Sequence, residues 1–479
     1  MDTNEDIIIF WFRQDLRIVD NPGLSKSLKS DKVLPIYILD DTNSNDFAMG
    51  AASRWWLHNS LRELNKNLDN KLSLYKGDPS EILESLSFRF NIKGIYWNRC
   101  YEPWRIERDK KIKSKFIEKD IIVETFNSAL LWEPWEILKS DNTPYKVFTP
   151  YYRKGCLMSE APRKPLSPPN LNTLFEDKQN ILQLDDLNLL PRIKWYKEME
   201  KLWEPGEKGA HKKLESFLSD GLLGYKEGRN FPSKKNVSQL SAHMHFGEIS
   251  PNQVWHRAKL KKDLPRIEKD LDHFLSELGW REFSYNLLFH FPELPRENLQ
   301  KKFDNFPWID NEILFDKWKK GLTGYPIVDA GMRELWQTGY MHNRVRMIVG
   351  SFLVKNLLLH WHKGEEWFWD CLIDADLASN SASWQWVAGS GADAAPYFRI
   401  FNPILQGKRF DPDGSYIKKF IPELEQLPSK YLFSPWEAPI EVLSEANIEL
   451  GSDYPEPIVD LIKSRDRALE AFSTIRIKA

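Results

Sequence analysis

The sequence of 479 residues predicts an α/β domain with a doubly wound parallel sheet, followed by an all-helical domain. Two observations predict the first domain: short apolar runs alternate with amphipathic stretches, and several runs are apolar at consecutive positions, as strands covered on both faces require. The second domain is predicted because the hydrophobic period turns helical near residue 201 and stays so.

The chain is longer than one hydrophobic core usually supports, so we expect separate domains. The α/β domain is assigned to residues 1–135 and the helical domain to residues 201–479. Between them, residues 136–200 hold seven prolines amid polar residues, which indicates a long linker wrapped over the surface.

Apolar runs and amphipathic stretches define the α/β domain. The expected strands are Ile7–Phe12, Val33–Leu39, Leu72–Tyr75, Gly94–Trp97 and Ile121–Thr125. The expected helices are Arg54–Leu68, Pro79–Phe88 and Glu102–Glu118. The loop after the first strand is Arg13-Gln-Asp-Leu-Arg17, which lacks the Gly-x-Gly-x-x-Gly motif of NAD-binding proteins.

Start and stop signals mark three helices of the second domain. Ser250 is a capping residue for a helix that begins at Pro251. A second helix covers Pro326–Trp336 and is closed by Gly339, and a last helix is expected over Ile458–Phe472.

The composition is that of a water-soluble globular protein. A net charge of −2 provides no global attraction to nucleic acid, so a DNA site must be a local basic patch. The three cysteines are far apart and form no Cys-x-x-Cys pair, so we expect no metal site and a location in the reducing cytoplasm. The apolar runs are shorter than the roughly 20 residues of a bilayer span, so no membrane association is expected.

Two clusters in the helical domain carry candidate binding groups. The segment Asn236–Pro251 holds small hydroxyl residues before a helix, which either shape a loop or cradle a phosphate. Glu277, Arg281 and Ser284 share one helical face beside Trp280. Glu277 and Arg281 therefore form either an exposed ion pair or a site in which the carboxyl group reads the edge of a base.

Two further clusters combine arginines with acids. Arg344 and Arg346 flank an apolar residue, so at least one of them points inward and requires an acidic partner. Asp374 and Asp376 are the candidate partners. They open a segment up to Asn402 that also contains two tryptophans, an amide and a Gly/Ala-rich bend, which suggests a cavity for a planar ligand.

These four clusters, in this order and with matching gaps, resemble the photolyase/cryptochrome family, most closely the class I cyclobutane pyrimidine dimer photolyases. The resemblance covers nearly the whole chain, from Trp11–Arg17 to Asp374–Trp386. It implies an α/β antenna domain, a long linker and a helical FAD-binding domain. The implied activity is light-driven repair of cyclobutane pyrimidine dimers in DNA by electron transfer from photoexcited FADH−. A cryptochrome-type photoreceptor and repair of (6-4) photoproducts are the alternatives.

The resemblance assigns FAD contacts to individual residues. They are Tyr225, Val237, Ser238, Gln239, Leu240, Ser241, Phe274, Glu277, Arg281, Ser284, Arg346, Asp374, Asp376 and Asn380. Arg346 would pair with Asp374. Asn380 would face flavin N5, where plant cryptochromes carry an aspartate that can donate a proton, so the amide favours a photolyase.

The resemblance also implies a lesion pocket, an electron path and phosphate contacts. The lesion pocket would consist of Glu277, Trp280, Asn343, Met347 and Trp386. The electron path would be Trp384, Trp361 and Trp308, and the DNA contacts would be Arg229, Asn343, Arg344 and Arg399. Asn343 stands where enzymes for (6-4) photoproducts have histidine and plant cryptochromes have aspartate, which favours cyclobutane dimers as the substrate.

Two departures from the family pattern affect cofactor binding. Val237 replaces a phosphate-loop threonine, so FAD binding would depend on Ser238 and backbone donors. Trp104 and Arg105 replace the residues that hold the folate antenna, so the second chromophore would be methenyltetrahydrofolate, 8-hydroxy-5-deazaflavin or none. A short segment after Asn402 in place of a long tail favours the enzyme, which we expect to be a monomer without an obligate protein partner.

Overall fold

The computed structural model describes residues 6–180, 182–394 and 398–476, which form two compact units. The first unit is built from Met1–Leu223, Ser238–Pro292 and Ile373–Asp376, and the second from Gly224–Val237, Glu293–Leu372 and Leu377–Ala479. The domain boundaries at residues 135 and 200 stay a prediction.

The first unit contains a five-stranded parallel sheet in the order β3-β2-β1-β4-β5. The strands are β1 (Asp6–Phe12), β2 (Val33–Leu39), β3 (Ser73–Lys76), β4 (Asn91–Asn98) and β5 (Ile122–Phe126). Ile9 of β1 pairs with Leu34 on one side and with Ile95 on the other. The predicted parallel sheet is therefore confirmed.

The α-helices connect these strands and then continue to the end of the described chain. In chain order they are α1 (Pro22–Ser27), α2 (Ala51–Asn67), α3 (Pro79–Arg89), α4 (Pro103–Ile117), α5 (Phe148–Pro150), α6 (Lys197–Leu202), α7 (Glu207–Ser216), α8 (Tyr225–Gly228), α9 (Ser241–His245), α10 (Pro251–Lys259), α11 (Glu268–His290), α12 (Glu312–Lys319), α13 (Pro326–Thr338), α14 (Asn343–Ser351), α15 (Trp361–Cys371), α16 (Leu377–Ala388), α17 (Pro403–Phe410), α18 (Ser415–Phe420), α19 (Ile440–Glu445) and α20 (Leu461–Arg476). Among the described residues, no helix is long and apolar enough to cross a membrane.

Apolar residues from the sheet and from two helices form the core on one face of the sheet. Leu83 of α3 and Phe116 of α4 are fully buried and pack with Ile9, Ile95 and Trp97. A parallel strand that is apolar on both faces requires such cover, because its backbone and side chains are otherwise exposed to water. The carboxyl ends of the strands are left at one edge, where loops carry polar side chains.

The proline-rich segment that was predicted as a surface linker carries buried rings. Tyr151 and Tyr152 are each only 1% exposed and belong to a π-helical turn, Tyr151–Gly155. Leu174, also buried, forms a parallel bridge with Val33 of β2. The surface-linker expectation is thus wrong for these residues, because aromatic and apolar side chains between the prolines supply inward-facing anchors.

Capping residues determine where the helices begin and end. The Ser250 hydroxyl accepts the backbone N–H of Gln253 at 2.9 Å, which starts α10 as predicted. Helix α13 begins at Pro326 and ends at Thr338, and it is capped by Gly339, whose φ of 66° is left-handed and suits glycine. The long helix α11 is tied to the preceding chain by buried Glu282, which accepts the N–H of Leu131 at 2.9 Å.

Candidate functional site

Asp376 is a buried carboxylate of the first unit that accepts hydrogen bonds. The Tyr285 hydroxyl donates to its Oδ2, and His245 Nδ1 lies 3.4 Å from the same oxygen. Burial acts against ionisation, but the contacts with His245, Arg281 and Tyr285 outweigh it and hold the pKa of Asp376 well below its usual range. The carboxylate therefore stays charged at neutral pH.

Arg281 lies on α11 and is nearly buried. Its Nη1 donates to the carbonyl of Ala129 at 2.7 Å, and its guanidinium lies 4.7 Å from the ring centroid of Tyr285. Oε1 of Glu282 lies 3.6 Å from Nη1 of Arg281. These contacts favour a structured polar site over the alternative of an exposed surface ion pair, since Arg281 is held by buried groups.

The predicted phosphate-binding segment of the first unit, residues 238–241, leads into α9. Gln239 has a left-handed backbone with φ of 51°, and its Oε1 accepts Lys213 Nζ at 2.7 Å. Lys213 was not predicted, and it brings a cation to this segment. Two further assigned FAD residues of the first unit, Phe274 and Ser284, are buried on α11, and Asp374 is buried as well.

The three tryptophans of the predicted electron path all lie in the second unit. Trp361 is fully buried and Trp384 is 3% exposed, whereas Trp308 is half-buried. The Trp384 ring rests against Gly364, where an added Cβ would lie 2.1 Å from Cη2 of the indole. Gly364 follows Trp361 by three residues on α15, so the Trp384 ring meets this helix about one turn from Trp361.

His360 contributes a ring between two of these tryptophans. Its ring centroid lies 5.3 Å from that of Trp308 and 5.7 Å from that of Trp361. Its Nδ1 accepts the N–H of His362 at 3.2 Å and so caps α15. Burial, with smaller effects from His362 and Lys363, lowers the pKa of His360 to about 4. The ring is therefore neutral at neutral pH.

Asn380, the residue assigned to flavin N5, is buried on α16 of the second unit. Its Nδ2 donates to the backbone carbonyl of Glu365 at 3.0 Å. The neighbouring Ser381 hydroxyl donates to Glu365 Oε1 at 2.5 Å. Since Nδ2 has a fixed partner on α15, the orientation of the Asn380 amide is set by the fold.

The buried carboxyl group of Glu365 makes stability depend on pH. Burial raises the pKa of Glu365 to about 8 from an ordinary value of 4.5, so the folded protein holds this proton more tightly than the unfolded chain. Its contribution to stability is complete below pH 4.5 and is lost as the pH rises towards 8, by up to about 1.4 kcal/mol per pH unit. We expect Glu365→Gln to flatten the curve of unfolding free energy against pH over this range.

Urea titrations at several pH values between 5 and 9 measure this effect. Glu282, whose pKa burial also raises to about 8, acts in the same direction in both proteins, so the difference between wild type and variant isolates Glu365. Parallel curves for the two proteins would contradict the assignment of a neutral, buried Glu365.

The five predicted lesion-pocket residues are divided between the two units, two in the first and three in the second. In the first unit, Glu277 and Trp280 lie on α11 and are both half-buried. In the second unit, Asn343 and Met347 stand four residues apart on α14, which places them on one face, and Trp386 lies on α16, which packs against α14. All five side chains are at least partly accessible.

Basic side chains cluster in the second unit. Burial is the main cause that lowers the pKa of Arg344, and repulsion from Arg229 and Arg409 lowers it further. Arg344 donates to Asn230 Oδ1 and lies half-buried. The adjacent His342 is buried, accepts the N–H of Arg344, and has its pKa lowered to about 3 by burial and the nearby arginines. His342 is thus a structural cap of α14.

A small cleft of the second unit is lined by Trp386, Lys355 and Arg399. Lys355 is buried, and its Nζ donates to the carbonyl of Arg399 at 2.9 Å. Burial lowers the pKa of Lys355 to about 7. Arg399 itself is exposed. Arg346, in the same unit, donates to the carbonyl of Met341 at 2.7 Å, and its pairing with Asp374 stays a prediction.

Arginines occupy the carboxyl edge of the sheet in the first unit. Arg13, after β1, donates to the backbone carbonyl of Asn98 at the end of β4. Arg105 and Arg108 lie 4.8 and 5.2 Å from the ring centroid of Trp104. The strand order reverses between β1 and β4, and ligands of open α/β sheets bind at such a point.

Comparison with known proteins shows the family. Two family models match: DNA photolyase over residues 8–170, and the FAD binding domain of DNA photolyase over residues 274–474. The deoxyribodipyrimidine photo-lyase of Agrobacterium fabrum is 47% identical over 98% of this chain and 98% of its own length. Cryptochrome-2 of Arabidopsis thaliana is 38% identical over 98% of this chain and 79% of its own length. The chain therefore belongs to the DNA photolyase and cryptochrome family.

A solved structure of a photolyase is similar to this chain over almost its full length. A bacterial class III photolyase from Agrobacterium tumefaciens matches with a TM-score of 0.94 at 46% identity, over 99% of this chain and 98% of that chain. The expected fold, an α/β domain with a helical FAD-binding domain, is confirmed by this match and by the family models. The placement in class I stays a prediction, and this relative is described as class III.

Proposed function

We propose that this protein is a deoxyribodipyrimidine photo-lyase that repairs cyclobutane pyrimidine dimers in DNA under blue light. The observation that carries the proposal is that the predicted lesion-binding side chains are accessible. They are Glu277 and Trp280 on α11, and Asn343 and Met347 on α14. They lie in a chain that is similar over almost its full length to proteins of that name.

The described residues fit FAD as the cofactor. When bound, FAD absorbs light and supplies the electron that opens the cyclobutane ring. Ser238 and Ser241 offer hydroxyl groups, and the charge of Lys213 next to Gln239 complements a diphosphate. The buried amide of Asn380, held by α15, offers a neutral group to an isoalloxazine edge and has no proton to give up readily.

Glu277 and Trp280 would recognise the lesion in different ways. The carboxylate of Glu277 would accept hydrogen bonds from base N–H groups. Its Oε1 lies 3.8 Å from Nε2 of His273, and the Glu277 side chain is partly exposed. The indole of Trp280 offers a flat apolar surface to an extruded dinucleotide. Extrusion costs less for a dimer that stacks and pairs badly, which adds selectivity.

The tryptophans and arginines have separate tasks in the proposal. Trp308, Trp361 and Trp384 would carry an electron inward from the half-buried end of the path, with the cofactor as the acceptor. Arg229 and Arg344, whose charges lie close enough to repel, would bind backbone phosphates, so affinity for DNA should fall as salt rises.

The finer assignments follow from the same proposal. We propose that the protein acts as a monomer in the cytoplasm, without an obligate protein partner. We also propose a second, light-harvesting chromophore, a folate or a deazaflavin. Its site would lie at the carboxyl edge of the sheet, where the strand order reverses between β1 and β4.

The variant Glu277→Ala tests the function. We expect it to lose most repair of a thymine-dimer oligonucleotide under blue light, because a hydrogen-bonded base left without its partner costs about 1–3 kcal/mol. Glu277→Gln, which keeps an acceptor oxygen, should retain part of the activity. The repair rate is measured with pre-reduced FAD, so that electron supply does not limit it.

The matched control is Glu215→Ala, which removes an exposed carboxylate that pairs with Arg257. Full repair by Glu277→Ala would show that the lesion pocket is assigned wrongly. Absence of repair by the wild-type protein, together with normal FAD absorbance, would instead favour a cryptochrome-type photoreceptor.

A further inference from the structure

A short segment of the first unit, residues 148–158, lies along helix α11. We call it the strap. At one end of the contact, Arg153 donates two hydrogen bonds to Asp272, at 2.8 and 2.5 Å. Further along α11, Tyr152 lies directly on Gly279, where an added Cβ would come within 2.4 Å of Cδ2 of the tyrosine ring. The strap is therefore seated on a helix surface that carries a glycine where the ring lies.

The strap places a phenyl ring against the indole of Trp280. The ring centroids of Phe148 and Trp280 lie 3.8 Å apart, with an angle of 11° between the planes. On its other side Phe148 faces Tyr152, at 5.6 Å and 7°. Three nearly parallel rings thus form a stack in which Trp280 is the outermost member.

The three rings of the stack differ in how exposed they are to solvent. Phe148 and Tyr152 are buried, at 9% and 1% exposure, whereas Trp280 is half-buried. Phe283, one helical turn beyond Trp280, closes the stack with an edge contact to Phe148 at 6.0 Å. Phe148 is therefore fixed by its surroundings, and it fixes one face of the indole.

We infer that Phe148 is a positioning residue for lesion recognition: it holds the Trp280 indole in the orientation that a dimerised pyrimidine pair meets. The inference rests on the proposed function, since it assumes that Trp280 forms a wall of the lesion pocket. An indole on a partly exposed helix face would otherwise exchange between rotamers, and a dinucleotide would have to order it on binding. The stack supplies this order in advance.

The inference predicts where the loss appears. Phe148 lies behind Trp280 and contacts no reacting group, so its removal should weaken binding of the damaged site and leave the repair per absorbed photon unchanged in the bound complex. Contacts with backbone phosphates depend on other residues, so binding of undamaged DNA should not change.

The experiment measures binding in the dark to two oligonucleotides of the same sequence, with and without one thymine dimer. The variant Phe148→Leu keeps an apolar side chain but removes the plane. We expect it to bind the dimer three- to tenfold more weakly, roughly the value of one aromatic stack, and to bind the undamaged strand as the wild type does. Phe148→Tyr keeps the ring and should restore dimer binding.

Two matched variants make the outcomes distinct. Phe175→Leu alters a partly buried phenylalanine that packs on the core of the sheet, and it should leave dimer binding intact. Trp280→Ala tests the assumption beneath the inference. If Trp280→Ala weakens dimer binding and Phe148→Leu does not, the positioning role is wrong. If Trp280→Ala has no effect, the proposed lesion pocket is wrong.

A general loss of packing is separated from positioning by the conservative variant Phe148→Tyr and by binding of the undamaged strand. Equal weakening of dimer binding by Phe148→Tyr and Phe148→Leu would overturn the inference, because the stacked ring would not be the cause. Weakening by Phe148→Leu that extends equally to undamaged DNA would overturn it as well, whatever the melting temperature.

Discussion

The variant Trp384→Phe is expected to lose nearly all light-driven reduction of protein-bound FAD by an external thiol. Trp384 is the inner member of the proposed path, and its ring rests against α15 one turn from Trp361. A phenyl ring fits the same space but is far harder to oxidise than an indole, so the first electron step would stop. Absorbance of the bound flavin during blue-light illumination measures the rate.

Trp255→Phe is the control, because Trp255 is equally buried at 2% but lies in the first unit, in edge contact with Trp132. It should photoreduce at the normal rate. Repair by the chemically reduced Trp384→Phe protein should persist, since the dimer receives its electron from the cofactor. Undiminished photoreduction in Trp384→Phe would remove Trp384 from the electron path.

Asp376→Ala should have the largest effect on stability. The substitution takes a charged partner from the nearly buried Arg281 and leaves the Tyr285 hydroxyl and the His245 ring without their acceptor. Breaking a buried charge network by removing one partner costs about 3–5 kcal/mol. The urea midpoint should fall accordingly, and FAD should be lost during purification because the carboxylate is also an assigned cofactor contact.

Asp376→Asn separates the charge from the shape. The amide can still accept the Tyr285 hydroxyl, so this variant should be less damaged in stability than Asp376→Ala. Glu215→Ala, which breaks an exposed ion pair with Arg257, should change the unfolding free energy by less than about 1 kcal/mol. Comparable stability of Asp376→Ala and Glu215→Ala would show that Asp376 carries no structural charge.

Much of the fold could be predicted because its signals are local. A strand buried on both faces reads as a continuous apolar run, so β2 was placed at Val33–Leu39 without error. Helix α13 was placed from a proline at its start and Gly339 after its end, and it extends two residues past the predicted Trp336. The other predicted ends differ by up to four residues, as at the last helix, which was expected over Ile458–Phe472 and covers Leu461–Arg476.

The site was predicted less completely, because its partners are distant in the sequence. Tyr285 and His245 contact Asp376 across 91 and 131 residues, and no spacing rule relates them. Lys213 was missed for a second reason: in the sequence, a lysine on a polar helix resembles any solvated lysine. The resemblance to a family named the assigned residues, and the structure adds the groups that hold them.

The linker shows a different kind of failure. Its composition is polar and rich in proline, and such composition indicates exposed chain. Composition is an average, however, and the stack of Phe148 on Trp280 depends on one ring at one position. The aromatic residues between the prolines were the available signal.

The glycine at position 364 has a consequence for how the sequence of α15 can vary. Glycine inside a helix costs roughly 1 kcal/mol relative to alanine. If helix stability alone determined the residue, alanine would be favoured at this position. Here any side chain would collide with the Trp384 indole. The helix therefore keeps a residue that weakens it, and a survey of tolerated substitutions should find this position closed even to alanine, the residue that helices accept most readily.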